Sequence, residues 1–452
     1  MTTIRTIRGR PKDRRGLLEE SFRAAVDAAD PLKIVAQHLP HPPAGRTVVV
    51  GAGKAAASMA LAVERAWPAG APLDGLVITR YQHELPTRRI RVVEAAHPVP
   101  DAAGEAAARE ILDLARSLSE DDLLLVLISG GGSALLSLPA EGLSLDDIRA
   151  TTAGLLACGA PIQSLNTVRK HLSKIQGGRL AAATRARVLA LIISDVTGDD
   201  PTHIASGPCA PDPGTYADAL AILDRYAVSA PFAIVDHLRA GATGLFPETP
   251  KPGDPVFDRT ENRVIATSQE SLQRAAAICR DRGIPAVVLG DAVTGEARDV
   301  AGAYAALIRQ VLLHAEPWSA PVALLSDGEC TVTVRNDSPT RGKGGRCSEF
   351  LLALGLELEA LGCNPRRVSA LAADTDGLDG SGNNAGAFLD AATLARSREG
   401  GIDPRLALDA NNAYDVFDAA GGLFITGPTR TNVNDYRIFL IDQDVRLTLT
   451  ED

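Results

Sequence analysis

The stretch Val48–Ala60, VVVGAGKAAASMA, decides how the chain is read. A valine run breaks at Gly51-Ala52-Gly53 and a small-residue helix opens behind it. Gly51, Gly53 and Ala56 fill a G-x-G-x-x-G/A frame, the opening of a dinucleotide-binding turn. The same geometry offers backbone N–H groups to any phosphate or carboxylate at a helix N-terminus. Lys54 stands inside the turn, where phosphoryl transfer would use a cation.

Outward from this stretch the pattern repeats. RTVVVGAG leads into KAAASMALAVERAW, and DGLVITR follows; DDLLLVLISGGG leads into SALLSLPAEGLS, and ARVLALIISDVTGD comes later. Apolar runs alternating with Ala/Leu-rich helical runs predict a largely parallel sheet covered on both faces. LLLVLI, too short for most helices and without alternation, reads as a strand buried on both sides. Near residue 245 the texture changes: GATGLFPETPKPGDPVFDRTEN is proline-rich and aperiodic, a linker. The rhythm then restarts with NRVIATSQ, IPAVVLGD and PVALLSDGEC. The expectation is two α/β domains, 1–248 and 258–452, with a cleft between them.

Composition bounds the function. The chain has 452 residues, 45% hydrophobic and 23% charged, with a formal net charge of −10, ordinary globular material with ample core. That acidic balance argues against a nucleic-acid binder, and gives weight to cations gathered in glycine-rich loops. Six cysteines without a C-x-x-C pair predict reduced thiols in a cytoplasmic enzyme rather than a zinc site. No apolar run approaches the roughly 18 residues of a membrane helix. The arm MTTIRTIRGRPKDRR is basic and lacks the apolar core of a secretory signal, so it reads as a solvated arm.

Ligands of open α/β sheets bind beyond the carboxyl ends of the strands. After LLLVLI comes Ser129-Gly130-Gly131-Gly132-Ser133. Three successive glycines are entropically costly and let backbone N–H groups converge on an anion. After LALII comes Ser194-Asp195, and Asp195 is a candidate base or Mg²⁺ ligand; Asp199 and Asp200 read as a solvated turn. NTVRKHLSKIQGGRLA, with Asn166, Arg169, Lys170, Lys174 and Arg179, offers a basic flank to phosphate or carboxylate, or only a solvated face. Further on, Asp327-Gly328-Glu329 leads into a hairpin-like CTVTV. Arg341-Gly342-Lys343-Gly344-Gly345-Arg346 then places cations before a helix start, an arrangement suited to an oxyanion. Asp374, Asp376 and Asp379 follow another strand; Asp374 and Asp376 are further metal candidates. His97 and His203 read as loop histidines, His203 being able to face the cleft.

Dinucleotide binding demands an acidic residue near the end of the second strand. That strand, GLVIT, ends in Thr79-Arg80-Tyr81, which weakens a nicotinamide site, although Arg80 would suit an NADP phosphate. A Walker A loop is absent.

The ordered set GAGKAAASMA, ISGGGSALL, NTVRKHLSKIQGGRLA, ISDVTGDDPTHIASGP, GEAR, TVTVRNDSPTRGKGGRCSEF and AADTDGLDG…NAGA closely resembles the class II glycerate kinases. The resemblance covers roughly residues 15 to 445. It implies an N-terminal Rossmann-like domain and a C-terminal MOFRL-type domain. It also implies ATP-dependent, Mg²⁺-assisted phosphorylation of D-glycerate, giving 2-phosphoglycerate in most such enzymes. Lys54 matches the lysine of the family's GAGKA turn and Arg346 the arginine of its GRGGR-type loop, cations regarded as facing each other across the active-site cleft. Gly51, Gly53, Ser129–Ser133, Asn166, Arg169, Lys174, Glu329 and Lys343 are then expected to bind nucleotide or substrate. Membrane and nucleic-acid partners are not implied, and a homodimer is allowed.

The sequence departs from the family at Asp327, where glycine is common, at Cys347-Ser348, which replace Asn-Gln, and in the wording of GSGNNAGA. These departures bear on the substrate more than on the reaction. A kinase for tartronate, erythronate or another short hydroxy acid stays open, as do an NADPH-linked hydroxypyruvate reductase, a label members of this family have carried, and a silent metabolite-binding protein.

Overall fold

The structure, a computed structural model, describes residues 13–334 and 342–443. It divides into two compact units, one formed by 29–267 with 430–432, the other by the remainder.

The first unit is built on six parallel strands: β1 (Thr47–Ala52), β2 (Leu73–Arg80), β3 (Ile90–Ala95), β4 (Leu123–Ile128), β5 (Arg187–Ile193) and β6 (Thr260–Ala266). Their order is β3-β2-β1-β4-β5-β6, the arrangement of dinucleotide-binding folds. Central strands β1 and β4 are buried along their whole length, which is why LLLVLI shows no alternation. The order reverses between β1 and β4, whose register sets Gly51 beside Leu127 and Ala52 beside Ile128. The turns leaving these two strands are therefore neighbours.

The second unit carries β7 (Ala286–Gly290), β8 (Gly295–Glu296), β9 (Val322–Asp327), β10 (Cys330–Thr331), β11 (Val368–Asp374), β12 (Gly386–Leu389), β13 (Leu423–Phe424) and β14 (Asp435–Ile441). Six of them form a sheet in the order β13-β12-β11-β14-β9-β7. Only the β7–β9 pair in it is parallel, so the restarted rhythm does not here signify a parallel sheet.

Three local expectations are corrected. The proline-rich segment is not a boundary, because β6 beyond it pairs with β5 from Val188↔Thr260 onward. Nor does the first unit begin at the start of the chain: the helix Arg14–Ala28 puts Leu17, Leu18 and Phe22 into one core with Leu272, Ala275 and Ala276 of the second unit. The units thus divide the chain differently from 1–248 and 258–452. Finally, CTVTV forms no hairpin among the described residues: Cys330–Thr331 pairs in parallel with Gly295–Glu296. Of the arm expected over 1–15, residues 1–12 lie outside the described residues, as does Arg341, and Arg14 and Arg15 open the helix Arg14–Ala28. Among those described, no helix is long and apolar enough to cross a membrane.

Candidate active site

The GAGK turn does not hold its N–H groups open. Gly53 N–H donates to Ile78 O at 3.1 Å, Lys54 N–H to Gly130 O at 2.8 Å and Ala56 N–H to Gly53 O at 3.1 Å. Ala55 N–H donates to Ser129 Oγ at 3.0 Å. The expected anion cradle at Gly51 and Gly53 is therefore closed, at Gly53 by β2 and at Lys54 and Ala55 by the loop that follows β4. The two glycines serve close approach instead. A Cβ on Gly51 would lie 2.0 Å from Leu127 O, and one on Gly53 would lie 2.1 Å from Ser129 Oγ.

The donors reappear one loop away. Gly131 adopts φ +81°, the left-handed region that favours glycine, and the helix Gly132–Leu135 starts behind it. Gly132 N–H is bound to Ser129 O, whereas the N–H groups of Gly130, Gly131 and Ser133 have no acceptor among the described residues. Successive free N–H groups about a left-handed glycine make an anion-binding concavity. Lys54, buried at 7% exposure, runs along this loop. A Cβ on Gly131 would lie 3.5 Å from Lys54 Cγ and 2.9 Å from the His97 ring. Lysine and histidine thus flank one glycine.

Asp195 and Asn432 meet at Gly130. Asn432 Nδ2 donates to Asp195 Oδ2 at 3.1 Å. A Cβ on Gly130 would lie 2.1 Å from that oxygen and 2.3 Å from that nitrogen. On the other side, Ser133 Oγ shares a 2.9 Å hydrogen bond with Ser206 Oγ, which donates to Asn166 Oδ1 at 3.3 Å. Ala205 and Ser206 hold φ of +50° and +58°, local strain of the kind that collects at functional sites. Asn432, His97 and Ser206 were not singled out as site residues by sequence reasoning. No local signal marks Asn432, which stands in TRTNVND far from the rest.

The basic segment is divided by the fold. Asn166 and Arg169, three apart on the helix Ile162–His171, share a face. The Arg169 side chain has no hydrogen-bond or ion-pair partner among the described residues, and burial lowers its pKa. Lys170, expected on the exposed flank, is buried and pairs with Asp212 at 3.4 Å. Lys174 lies beyond the helix end and does not share its flank. Beside Asp212, His171 has its pKa lowered by burial. His203 lends its carbonyl to Asn166 Nδ2.

In the second unit Arg346 opens the helix Arg346–Ala360. Its Nε donates to Asp435 Oδ2 at 2.7 Å, and its Nη2 to Glu329 at 2.8 Å and Asp374 at 2.9 Å. Burial opposes the charge, but Asp435, Asp374 and Glu329 outweigh it and hold the guanidinium protonated. The helix N-terminus, expected to face an oxyanion, is capped by Asp379, whose carboxylate accepts from Cys347 N at 3.0 Å, Ser348 N at 2.8 Å and Ser348 Oγ. The departure at Cys347-Ser348 thus supplies part of an internal cap. Asp374 is committed on both oxygens, to Arg346 and to the Asp376 N–H, and Asp376 Oδ1 accepts from Leu378 N. Among the described residues no group of three or more His, Cys, Asp or Glu is arranged to hold a metal. Lys343 lies 5.4 Å from the Tyr414 ring centroid, and its N–H donates to Asn412. Asp327, the third departure, is buried, and burial raises its pKa despite nearby Arg437.

Comparison with known proteins gives this arrangement a family. Residues 17–239 match a domain of unknown function, DUF4147, and residues 322–435 match the MOFRL family. A protein of Agrobacterium vitis named "Putative hydroxypyruvate reductase" is 47% identical over 428 residues, 94% of each chain. The glycerate 2-kinase of Pyrococcus horikoshii is 37% identical, covering 92% of this chain and 95% of its own. The crystal structure of glycerate kinase from Thermotoga maritima matches with a TM-score of 0.81 at 35% identity, over 95% of this chain and 100% of that one. With both domain matches in order and near-complete coverage of a named glycerate 2-kinase, the chain belongs to the class II glycerate kinase family, whose C-terminal domain is the MOFRL domain.

Proposed function

We propose that this chain phosphorylates D-glycerate, with ATP as donor and 2-phosphoglycerate as product. The observation that carries this reading is the loop Gly130–Ser133. Its free N–H groups lie beside the buried cation Lys54 on one side and the Asn432-held carboxylate Asp195 on the other. Such a loop suits a phosphate, a cation beside it suits a transferring phosphoryl group, and an oriented carboxylate suits a proton.

In the reaction a glycerate hydroxyl oxygen bonds to the γ-phosphorus of ATP as the bond to the β–γ bridging oxygen breaks. Asp195 takes the hydroxyl proton, with Asn432 fixing which oxygen is presented. The N–H groups of Gly130, Gly131 and Ser133 and the ammonium of Lys54 hold phosphoryl oxygens. Arg169, with Asn166, is the proposed partner of the glycerate carboxylate, since a partly buried guanidinium without an acid partner favours an anionic ligand. In the second unit Arg346 is a cation by itself able to take an anion, and Glu329, the most exposed of its three partners, is the one an anion would displace.

Magnesium, when bound, would neutralise charge on the triphosphate. The donor set fits a shared ion rather than a protein cage. Asp195 is a hard oxygen ligand beside the phosphate loop, while Asp374 and Asp376 are engaged in internal bonds. One carboxylate plus substrate phosphates is a common way to hold Mg²⁺.

A nicotinamide-dependent hydroxypyruvate reductase is the second reading, favoured by the strand order and by the name of the Agrobacterium relative. Against it stand the closed GAGK turn, which has no N–H left for a pyrophosphate, and Arg80 rather than an acid at the end of β2. One coupled assay decides. ADP and 2-phosphoglycerate formed from ATP and D-glycerate, without NADPH oxidation by hydroxypyruvate, is the expected outcome; NADPH turnover without ADP formation would overturn the proposal.

A further inference from the structure

Lys174, Arg179, Arg109 and Arg116 line a cavity of about 490 Å³ in the first unit, and none of the Lys54, Ser129–Ser133 or Asp195 residues lines it. Four cations stand there against two carboxylates, Asp113 and Glu141, in a chain whose formal net charge is −10. Arg109 and Arg116 have local partners, Glu105 and Asp113, in exposed pairs on their own helix, interactions worth little in water. Lys174 has no side-chain partner among the described residues. Arg179 donates to Lys170 O at 2.6 Å and Tyr216 Oη at 3.3 Å but has no carboxylate in ion-pair contact. That half-buried guanidinium is anchored by two neutral acceptors, and Asp212 and Glu248 act on it without an ion-pair contact.

One wall is flat. His237 stacks on Phe246 with ring centroids 5.0 Å apart and planes 22° apart, and both line the cavity with Tyr216. The volume is in the range of small-molecule pockets. Guanidinium groups with an ammonium select phosphate oxygens, and a stacked pair of rings offers a face to a planar or ring-shaped body.

We propose that this cavity is a second anion site, one that binds a phosphate monoester of mononucleotide size. The proposal moves Lys174 from the expected substrate contacts to this separate pocket. The shared chemistry is the phosphate monoester; its body is either a nucleoside or a bare sugar.

AMP and ribose 5-phosphate, titrated calorimetrically into the full chain, test it. Three proteins are compared: the unmodified chain, the Lys174→Gln/Arg116→Gln double variant and Lys54→Met. Neither substitution removes a backbone contact, since Lys174 holds Leu138 through its main-chain N–H and the Arg116 guanidinium bonds only the Asp113 carboxylate among the described residues. Binding to the unmodified chain and to Lys54→Met, weakened roughly tenfold or more in the double variant, is expected for loss of charge-assisted contacts. AMP binding tighter than ribose 5-phosphate supports a nucleoside body, and equal affinities support the sugar phosphate. Binding of neither probe overturns the proposal. So does binding lost in Lys54→Met and kept in the double variant, which would assign the ligand to the phosphate loop. The result is independent of the glycerate assay.

Discussion

Asn432 donates to Asp195 at 3.1 Å across 237 positions of sequence, and the backbone of Gly130 passes so close that no side chain fits there. Carboxylate, amide and glycine loop are thereby packed against one another.

Gly130→Ala tests that packing. Its Cβ would meet Asp195 Oδ2 at 2.1 Å, so the carboxylate or the loop must move. Overpacking of this kind costs about 1–3 kcal/mol. Misplacement of reacting groups by about 1 Å lowers kcat by roughly 10²-fold. Denaturant unfolding and steady-state kinetics on the same preparation check both; unchanged kcat would remove the loop from the reaction.

Lys54→Met separates charge from packing. Methionine keeps most of the buried stem, so stability is expected to hold while kcat and kcat/KM fall together by roughly 10²–10³, as for a single electrostatic stabiliser. Lys54→Arg is expected to recover only part of the rate, because a planar fork does not replace a compact ammonium on a buried side chain. Near-normal kcat in the folded methionine variant would make the GAGK turn scaffold alone.

Arg346→Met should behave differently, losing stability as well as rate. It removes the guanidinium that bonds buried Asp374 and Asp435 and leaves Asp435 to Arg437 at 3.5 Å, and loss of one partner from such a group costs about 3–5 kcal/mol. Denaturant unfolding of both proteins under one condition measures the deficit. Stability equal to that of the unmodified protein would show that the carboxylates are not held together by this guanidinium.

Asp379 gives a pH dependence with a definite sign. Burial raises its pKa to about 6, although bonds from Ser348 and Cys347 pull the other way. The folded state therefore holds a proton that the unfolded state, with a pKa near 3.9, has released. Stability contributed by this group is present below about pH 4 and falls as pH rises to about 6, by on the order of 3 kcal/mol. Asp379→Asn, measured by denaturant unfolding between pH 4 and 7, should lose that part of the slope. An identical slope in both proteins would remove the buried acid from the pH response.

Local order was legible from one dimension. Valine and leucine runs without alternation fix β1 and β4 because a strand covered on both faces has no polar side. Gly-Ala-Gly and Gly-Gly-Gly mark the turns after them because only glycine tolerates such close backbone approach. The first unit's parallel sheet, the turn containing Lys54, the glycine loop and the helix start at Arg346 all follow from such patterns. What depends on partners distant in sequence did not. β14 inserts between β9 and β11 and turns the second sheet largely antiparallel, a pairing that no local pattern encodes. Hydrogen bonding to Ile78, Ser129 and Gly130 closes the first anion cradle and leaves the donors on the second. Asp379 fills the helix end that sequence left open to a ligand. Residue type and spacing determine which groups can bind an anion; tertiary contacts decide which are already satisfied, because a buried N–H or charge takes the nearest acceptor the fold brings to it.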